Sequence, residues 1–150
     1  MKPQVHYVLV SFEGEEFYME LNAQGYAIRQ LIVDKYSAIH LSCREDCLAE
    51  GNVVNMNMEG EVQNISRTLF EEKWSFAILP YEEEWIQTKQ KYLIGSKVRG
   101  KSLFFYPQGI VMKGQDFFAI YKDNKIKQIN QDIEAQVIAY DEENMWLILT

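Results

Sequence analysis

One short segment of the sequence carries residues at a spacing typical of metal ligands: His40, Cys43 and Cys47. Zinc needs about four nitrogen or sulfur ligands in a structural site, or three plus a water in a catalytic one. The segment supplies three, so His6 would have to arrive from an earlier strand to complete the set. We therefore expect no metal and no cofactor, and interpret the two cysteines as free thiols on a loop, one of them buried.

The same segment leaves a nucleophile pair open as an alternative, because Cys43 follows His40 closely. Residues three apart on an extended segment point to opposite sides, so this pair requires a turn between them. The sequence contains no glycine-rich phosphate loop, nucleophile elbow or dinucleotide fingerprint. We therefore expect a protein that is not an enzyme.

Three cations alternate along a predicted strand: Lys97, Arg99 and Lys101. Alternate residues of a strand share one face, so these side chains are expected to lie side by side. Such a row suits either a track for a phosphate backbone or an ordinary solvated face. The sequence favours the solvated face.

Acidic residues are concentrated in the first two-thirds of the chain. Residues 1–94 contain 8 Lys/Arg and 15 Asp/Glu, which gives −7, whereas residues 95–150 contain 7 of each. Nucleic-acid binding draws most of its affinity from cations that neutralise phosphates, so this balance disfavours it. An acidic surface instead attracts basic partners and speeds their encounter.

The order of elements predicts a mainly β protein in three parts: an antiparallel β module over 1–65, a helical link over 66–93 and a small five-stranded barrel over 94–150. Frequent turns separate the strands expected in the first module, and such spacing is typical of an antiparallel meander. Those strands are Val5–Phe12, Phe17–Leu21, Tyr26–Val33 and Ala38–Leu41. The segment 42–62 has no clear period and is predicted as a loop.

Two helix starts mark the link. Thr68 and Glu71 have capping-box spacing, which predicts a short helix to about Trp74. Pro80 followed by three glutamates predicts a second helix, because proline and acids both suit a first helical turn. Its stripe of Tyr81, Trp85, Lys89 and Tyr92 is expected to pack against a sheet.

The last third contains glycines at regular places, and they carry a family resemblance. Gly95, Val98 and Gly100 lie on a predicted first strand, Gly109 follows a turn, and IEAQVIAYDEENMWLIL ends the chain as a strand, an acidic turn and a strand. In this order and spacing, residues 94–150 resemble the ribosomal S-one type of RNA-binding barrel, a branch of the OB-fold. A first strand that serves both ends of a small barrel must coil, and Gly100 permits that bend.

The resemblance implies an RNA face that this sequence only partly supplies. In that family, aromatic residues flank the turn glycine, where this chain has Gln108 and Val111. Tyr121 matches the third-strand aromatic group, while Met145 and Trp146 stand where the family has a cation. If the barrel binds RNA, the expected contacts are Tyr121 together with the row of three cations.

The whole chain is also similar in size and charge to small acidic bacterial proteins of the toxin-immunity kind, and FYMELNAQGYAIRQLIVD is similar in style to segments of them. Two hypotheses follow. The first is a protein-binding module that neutralises or scaffolds a basic protein partner; the alternative is an RNA-binding protein that uses the barrel. The apolar runs are too short to cross a membrane, so we expect no membrane contact and a cytoplasmic setting. Partner, pathway and oligomeric state stay open.

Overall fold

A computed structural model of the chain describes residues 5–44, 46–49, 61–123, 126 and 128–150. The chain divides into two compact units, Met1–Leu79 and Pro80–Thr150. Their boundary falls inside the segment 66–93 that the sequence indicates as the helical link. Most of the predicted loop 42–62 lies outside the described residues.

The first unit contains an antiparallel five-stranded sheet, which confirms the predicted β-meander. Its strands are β1 (His6–Phe12), β2 (Glu15–Leu21), β3 (Ala27–Val33), β4 (Ile39–Leu41) and β5 (Glu61–Asn64), in the order β4-β3-β2-β1-β5. Short polar turns join the first four strands, as the sequence predicted. β5 was not predicted, because its four residues, EVQN, contain one apolar side chain.

Helix α1 (Arg67–Ile78) follows the sheet and belongs to the first unit. Its N-cap is Ser66, whose hydroxyl accepts a hydrogen bond from the Leu69 amide at 3.0 Å. The expected capping box at Thr68 and Glu71 was therefore wrong: the N-cap lies two residues earlier, at Ser66. Glu71 instead points to the sheet, where an arginine binds it.

A buried arginine joins α1 to one face of the sheet. Arg29 is 2% exposed, and its guanidinium lies 4.9 Å from the centre of the Phe70 ring and 5.1 Å from that of Trp74. It donates two hydrogen bonds to Glu20, at 2.8 and 3.0 Å, and binds Glu71 at 2.5 Å. Helix and sheet thus share a charged network that is held between aromatic rings.

Tyr7 extends this network on β1. Its hydroxyl donates to Glu20 at 2.9 Å, and its ring lies 5.3 Å from that of Phe70. Burial, together with the hydrogen bond to the carboxylate, raises the pKa of Tyr7 to about 12. Burial also raises the pKa of Glu20, but the hydrogen bonds and charge of Arg29 outweigh it and hold that pKa below its usual value. The carboxylate therefore stays ionised inside the unit.

The second unit is a closed five-stranded barrel preceded by helix α2 (Glu82–Lys91). The strands are β6 (Lys97–Tyr106), β7 (Gly109–Lys113), β8 (Phe118–Tyr121), β9 (Asp132–Asp141) and β10 (Trp146–Leu149). Their closed order is β10-β8-β7-β6-β9. β10 pairs with β8 in parallel, a pairing that the predicted antiparallel pattern did not include.

Residues of the predicted stripe join helix α2 to the barrel. The Trp85 indole donates to Glu142 at 2.7 Å, and the Lys89 ammonium binds the same carboxylate at 2.9 Å. The Tyr92 ring packs edge-on against Phe117, with 4.9 Å between centroids. The Trp85 ring also lies 5.9 Å from that of Tyr140 on β9, so this residue of the stripe packs on a strand of the barrel, as the spacing indicated.

Two of the glycines have steric reasons. A side chain at Gly100 would place its Cβ 2.5 Å from the Lys113 carbonyl oxygen, so β6 and β7 approach too closely there for any other residue. Gly109 begins β7 at a φ of +147°, and a Cβ there would lie 2.9 Å from the Tyr121 carbonyl oxygen. The sequence explained Gly100 by a bend in the first strand; the structure adds a second reason, the close contact between the β6 and β7 backbones.

Candidate functional site

Two turns of the first unit lie side by side at one end of its sheet. The β1–β2 turn contains Glu13 and Gly14, and the β3–β4 turn contains Lys35; a Cβ on Gly14 would lie 3.4 Å from the Cβ of Lys35. Antiparallel strands return to the same end after every second turn, which is why these two segments meet. We call this region the acidic end and define it by five carboxylates: Glu13, Glu15, Glu16, Asp34 and Asp46.

His40 links two of these carboxylates. Its Nε2 lies 2.9 Å from Asp34 Oδ2, and its Nδ1 lies 3.7 Å from Asp46 Oδ1. The other oxygen of Asp34 accepts hydrogen bonds from the amides of Tyr36 and Ala38, at 2.8 and 2.9 Å, and so fixes the turn. The loop that follows β4 is thereby held against the β3–β4 turn.

These contacts change the titration of both groups. The hydrogen bond that Asp34 accepts from His40 raises the pKa of His40 above 6.5, because it outweighs partial burial and is assisted by the charges of Asp46 and Glu15. The same hydrogen bond is the main cause that lowers the pKa of Asp34. Since the folded pKa of His40 is the higher one, the pair stabilises the fold below about pH 6.5. That contribution is lost as the pH rises through the folded pKa.

We expect Asp34→Asn to lower the pKa of His40 towards 6.5, since an amide removes the charge but keeps the turn acceptor. The measurement is an NMR titration of the His40 ring. Glu72→Gln, an acid-to-amide change on the exposed face of α1, is the matched control and should leave the titration unchanged. A wild-type His40 that titrates at or below 6.5 would contradict the assignment.

An exposed aromatic residue stands beside the acidic end. Tyr36 is 81% exposed, and the Lys35 ammonium lies 5.4 Å from the centre of its ring. Tyrosine is among the residues that contribute most to protein–protein affinity, because it buries a large rigid surface at a low entropic cost. The acidic end therefore combines carboxylates with an aromatic side chain that is open to solvent.

The expected metal candidates do not converge. Cys43 is fully buried, Cys47 is exposed, and neither is part of a disulfide. The two ring nitrogens of His40 face carboxylates. Within the part of the chain that the structure describes, no three His, Cys, Asp or Glu side chains form a group that could hold a metal.

The three cations of β6 share a solvated face, as their alternation indicated, and acids stand opposite two of them. Arg99 is in register with Glu134 on β9, with 3.1 Å between Nη2 and the carboxylate. Lys101 faces Asp132 at 3.9 Å. Lys97 faces the amide of Gln136. Cross-strand carboxylates thus offset much of the charge that a phosphate track would need.

Tyr121, the fourth expected RNA contact, lines a different part of the barrel. It borders an open pocket of about 510 Å³ together with Phe105 and Gln108, whereas Arg99 and Lys101 line another pocket. Val111 is fully buried, so that position presents nothing to a ligand. Phe105, which is 48% exposed, is an aromatic residue of this pocket that the sequence analysis missed. The sequence did contain a signal for it, because Phe105 continues the alternation of Lys97, Arg99 and Lys101 along β6 and is therefore expected on their exposed side.

The chain matches no model of a known protein family, and a search of curated proteins finds no match either. Over the residues that are described, no helix is both long enough and apolar enough to pass through a membrane. The evidence for function therefore comes from the geometry of the two units themselves.

Proposed function

We propose that this chain is a non-enzymatic protein-binding module that neutralises or scaffolds a basic protein through its acidic end. The observation that carries the proposal is that the β1–β2 and β3–β4 turns lie side by side, with acidic residues on and beside them, and that His40 joins Asp34 to Asp46. A patch of one sign accelerates the encounter with an oppositely charged partner and discriminates against acidic ones.

The charge of the whole unit supports the same partner class. Residues 1–79 contain 6 Lys/Arg and 12 Asp/Glu, a net charge of −6. Arg29, one of those cations, is buried and already bound by Glu20 and Glu71. The cations that reach the surface are correspondingly few, so the field outside this unit is negative. This charge and size accord with the similarity to acidic immunity-type proteins.

A non-enzymatic role is supported by the chemistry of the reactive side chains. His40 is engaged with two carboxylates, and Cys43, its candidate nucleophile partner, is fully buried. The two reduced thiols also accord with the cytoplasmic setting that we propose, because the cytosol keeps thiols reduced.

Affinity capture from a bacterial lysate, with and without nuclease, tests the proposal. We expect basic proteins to be retained after nuclease treatment. Glu13→Gln/Glu15→Gln should lose them, whereas the matched variant Glu72→Gln/Glu83→Gln, with the same change in net charge, should keep them. If nuclease releases the captured material, or if both variants behave alike, the proposal is wrong.

The second candidate function is RNA binding by the barrel. Its strand order, with the last strand paired to both the third and the fourth, accords with an OB-like barrel. The exposed Phe105 beside Tyr121 gives an aromatic surface on which a base can stack, worth about 1–3 kcal/mol per base. The cross-strand carboxylates of β9 oppose this function.

We expect no measurable binding of generic single-stranded RNA at micromolar protein in physiological salt, measured by fluorescence anisotropy. Each phosphate contact would add nearly one unit to the slope of log affinity against log salt. Tight binding that the Lys97/Arg99/Lys101 triple alanine variant abolishes would reverse the ranking of the two functions. Phe105→Ala then separates base stacking from charge, since it removes only the ring.

A further inference from the structure

The face of the first sheet opposite α1 carries an apolar row that ends at the acidic end. Cross-strand register places Val62, Val10, Phe17, Ile32 and His40 in line from β5 to β4. Residues in register on neighbouring strands point to the same side of a sheet, so His40 lies at the edge of an otherwise apolar face. α1 does not occupy this face, because its contacts are with Tyr7 and Arg29 on the other one.

A cavity of about 320 Å³ opens on this face. Ligand pockets span about 300–1,000 Å³, so this cavity is of a size for one bulky side chain or a small apolar group. Its wall is mainly apolar, and Gln30 is the polar exception; the amide of that residue is already bonded to the Cys47 carbonyl and the Ala49 amide. The lining residues are Val10, Phe12, Phe17, Met19, Gln30, Ile32, Cys47, Leu48 and Ala49.

Carboxylates border the cavity on the side of the acidic end. Glu15 is in register with the lining residue Phe12, and so lies on the same face. Asp46 precedes the lining residue Cys47 and contacts His40, which is in register with the lining residue Ile32. The apolar cavity and the negative charges are therefore parts of one continuous surface.

We propose that this cavity receives an apolar side chain of the basic partner while the neighbouring carboxylates bind its cations. This inference rests on the proposed function and adds the chemistry of the recognised segment. The ligand that fits this surface is a basic protein segment, because the rim of the cavity is acidic. A free apolar molecule would gain nothing from the carboxylates of the rim, and an acidic peptide would be repelled by them.

Strand spacing gives the distance between the apolar residue and the cations. Phe17 and His40 are two strands apart, about 10 Å. An extended segment covers about 3.3 Å per residue, so the cations lie about three residues from the apolar side chain. The recognised segment is thus an aromatic or large aliphatic residue followed, at that distance, by Lys or Arg.

Three synthetic peptides test this on the full chain: acetyl-Ser-Phe-Ser-Lys-Lys-Lys-amide, its Phe-to-Ala counterpart, and its counterpart with three Glu in place of Lys. Affinities are measured by NMR titration. We expect the Phe peptide to bind about tenfold more tightly than the Ala peptide, as burial of an aromatic ring predicts. The Glu peptide should not bind.

The cysteines supply an independent readout. Cys47 lines the cavity and is exposed, whereas Cys43 is fully buried, so iodoacetamide should alkylate Cys47 alone in the folded protein. The Phe peptide should slow that reaction more than the Ala peptide does. Ala49→Trp, which fills the cavity, should abolish the difference between the two peptides.

The outcomes separate the two proposals. If the Phe and Ala peptides bind wild type equally, and Glu13→Gln/Glu15→Gln loses both, the cavity proposal is overturned and the proposed function stands. If the Phe and Glu peptides bind equally, both the cavity proposal and the preference for a basic partner are overturned. The affinities of the three peptides are compared on the wild-type protein, so the test remains valid even if Ala49→Trp does not fold.

Discussion

Replacing Arg29 with alanine is expected to destabilise the first unit by about 3–5 kcal/mol, the usual cost of removing one partner from a buried ion pair. Glu20, only 8% exposed, would keep its charge without the guanidinium that binds it. The rings of Phe70 and Trp74 would also lose the cation between α1 and the sheet. Hydrogen exchange of the β2 and β3 amides measures this cost in the first unit alone.

Arg99→Ala is the matched control, because it removes an arginine that is also bound to a carboxylate, with a side chain that is 83% exposed. Exposed pairs contribute about 0–1 kcal/mol, so its effect should be small. If the two substitutions cost the same, the buried network does not hold helix and sheet together.

The pH gives a second check on the same network. The folded pKa of Glu20 lies below 4.5, so the stabilisation is present above pH 4.5 and is lost as the pH falls through the folded value. Protonation also relieves the penalty of an unpaired carboxylate in Arg29→Ala. The difference in stability between wild type and variant should therefore shrink on acidification.

Gly100→Val should destabilise the barrel by about 3 kcal/mol, at the upper end of the cost of overpacking a core. The new Cβ would lie 2.5 Å from the Lys113 carbonyl oxygen and 2.8 Å from the Met112 Cε. The methionine tip moves easily, but the carbonyl belongs to the β7 backbone and moves only if the pairing of β6 with β7 is disturbed. The measurement is the melting temperature, together with exchange of the β6 amides.

Gly95→Ala is the control. A Cβ there meets nothing within 4 Å, but φ is +97°, so the cost is backbone strain of about 1–2 kcal/mol. A Gly100→Val protein that melts like wild type, or that loses less than Gly95→Ala, would show that β6 and β7 separate readily.

Local patterns were enough to predict the fold class. Alternating apolar residues and short polar turns define β1 to β4, and Pro80 with its glutamates marks α2. β5 was not predicted because a short polar edge strand shows no alternation of apolar and polar residues. Only its pairing with β1 identifies it as part of the sheet. The N-cap of α1 was misplaced since Ser66 and Thr68 are both good caps, and Glu71, which a capping box at Thr68 would need, is bound to Arg29.

The site was harder to predict than the fold. Net charge indicated a basic partner, but the acidic end depends on two turns, separated by twenty residues of sequence, that meet at one end of the sheet. Nothing in the sequence distinguishes Arg29 from the other cations of the chain, and only the structure shows it to be buried. The β6 cations were placed on one face correctly, yet their partners on β9 are set by barrel register, which sequence alternation does not contain.

The association rate of the captured basic partner, measured by stopped flow, tests the central claim most directly. For wild type we expect a rate that falls steeply between about 0.05 M and 0.5 M salt, as the screening length shortens. Glu13→Gln/Glu15→Gln should associate more slowly at low salt and lose much of the salt dependence, while Glu72→Gln/Glu83→Gln should follow wild type. Equal rates and equal salt slopes for the two variants would contradict recognition through the acidic end.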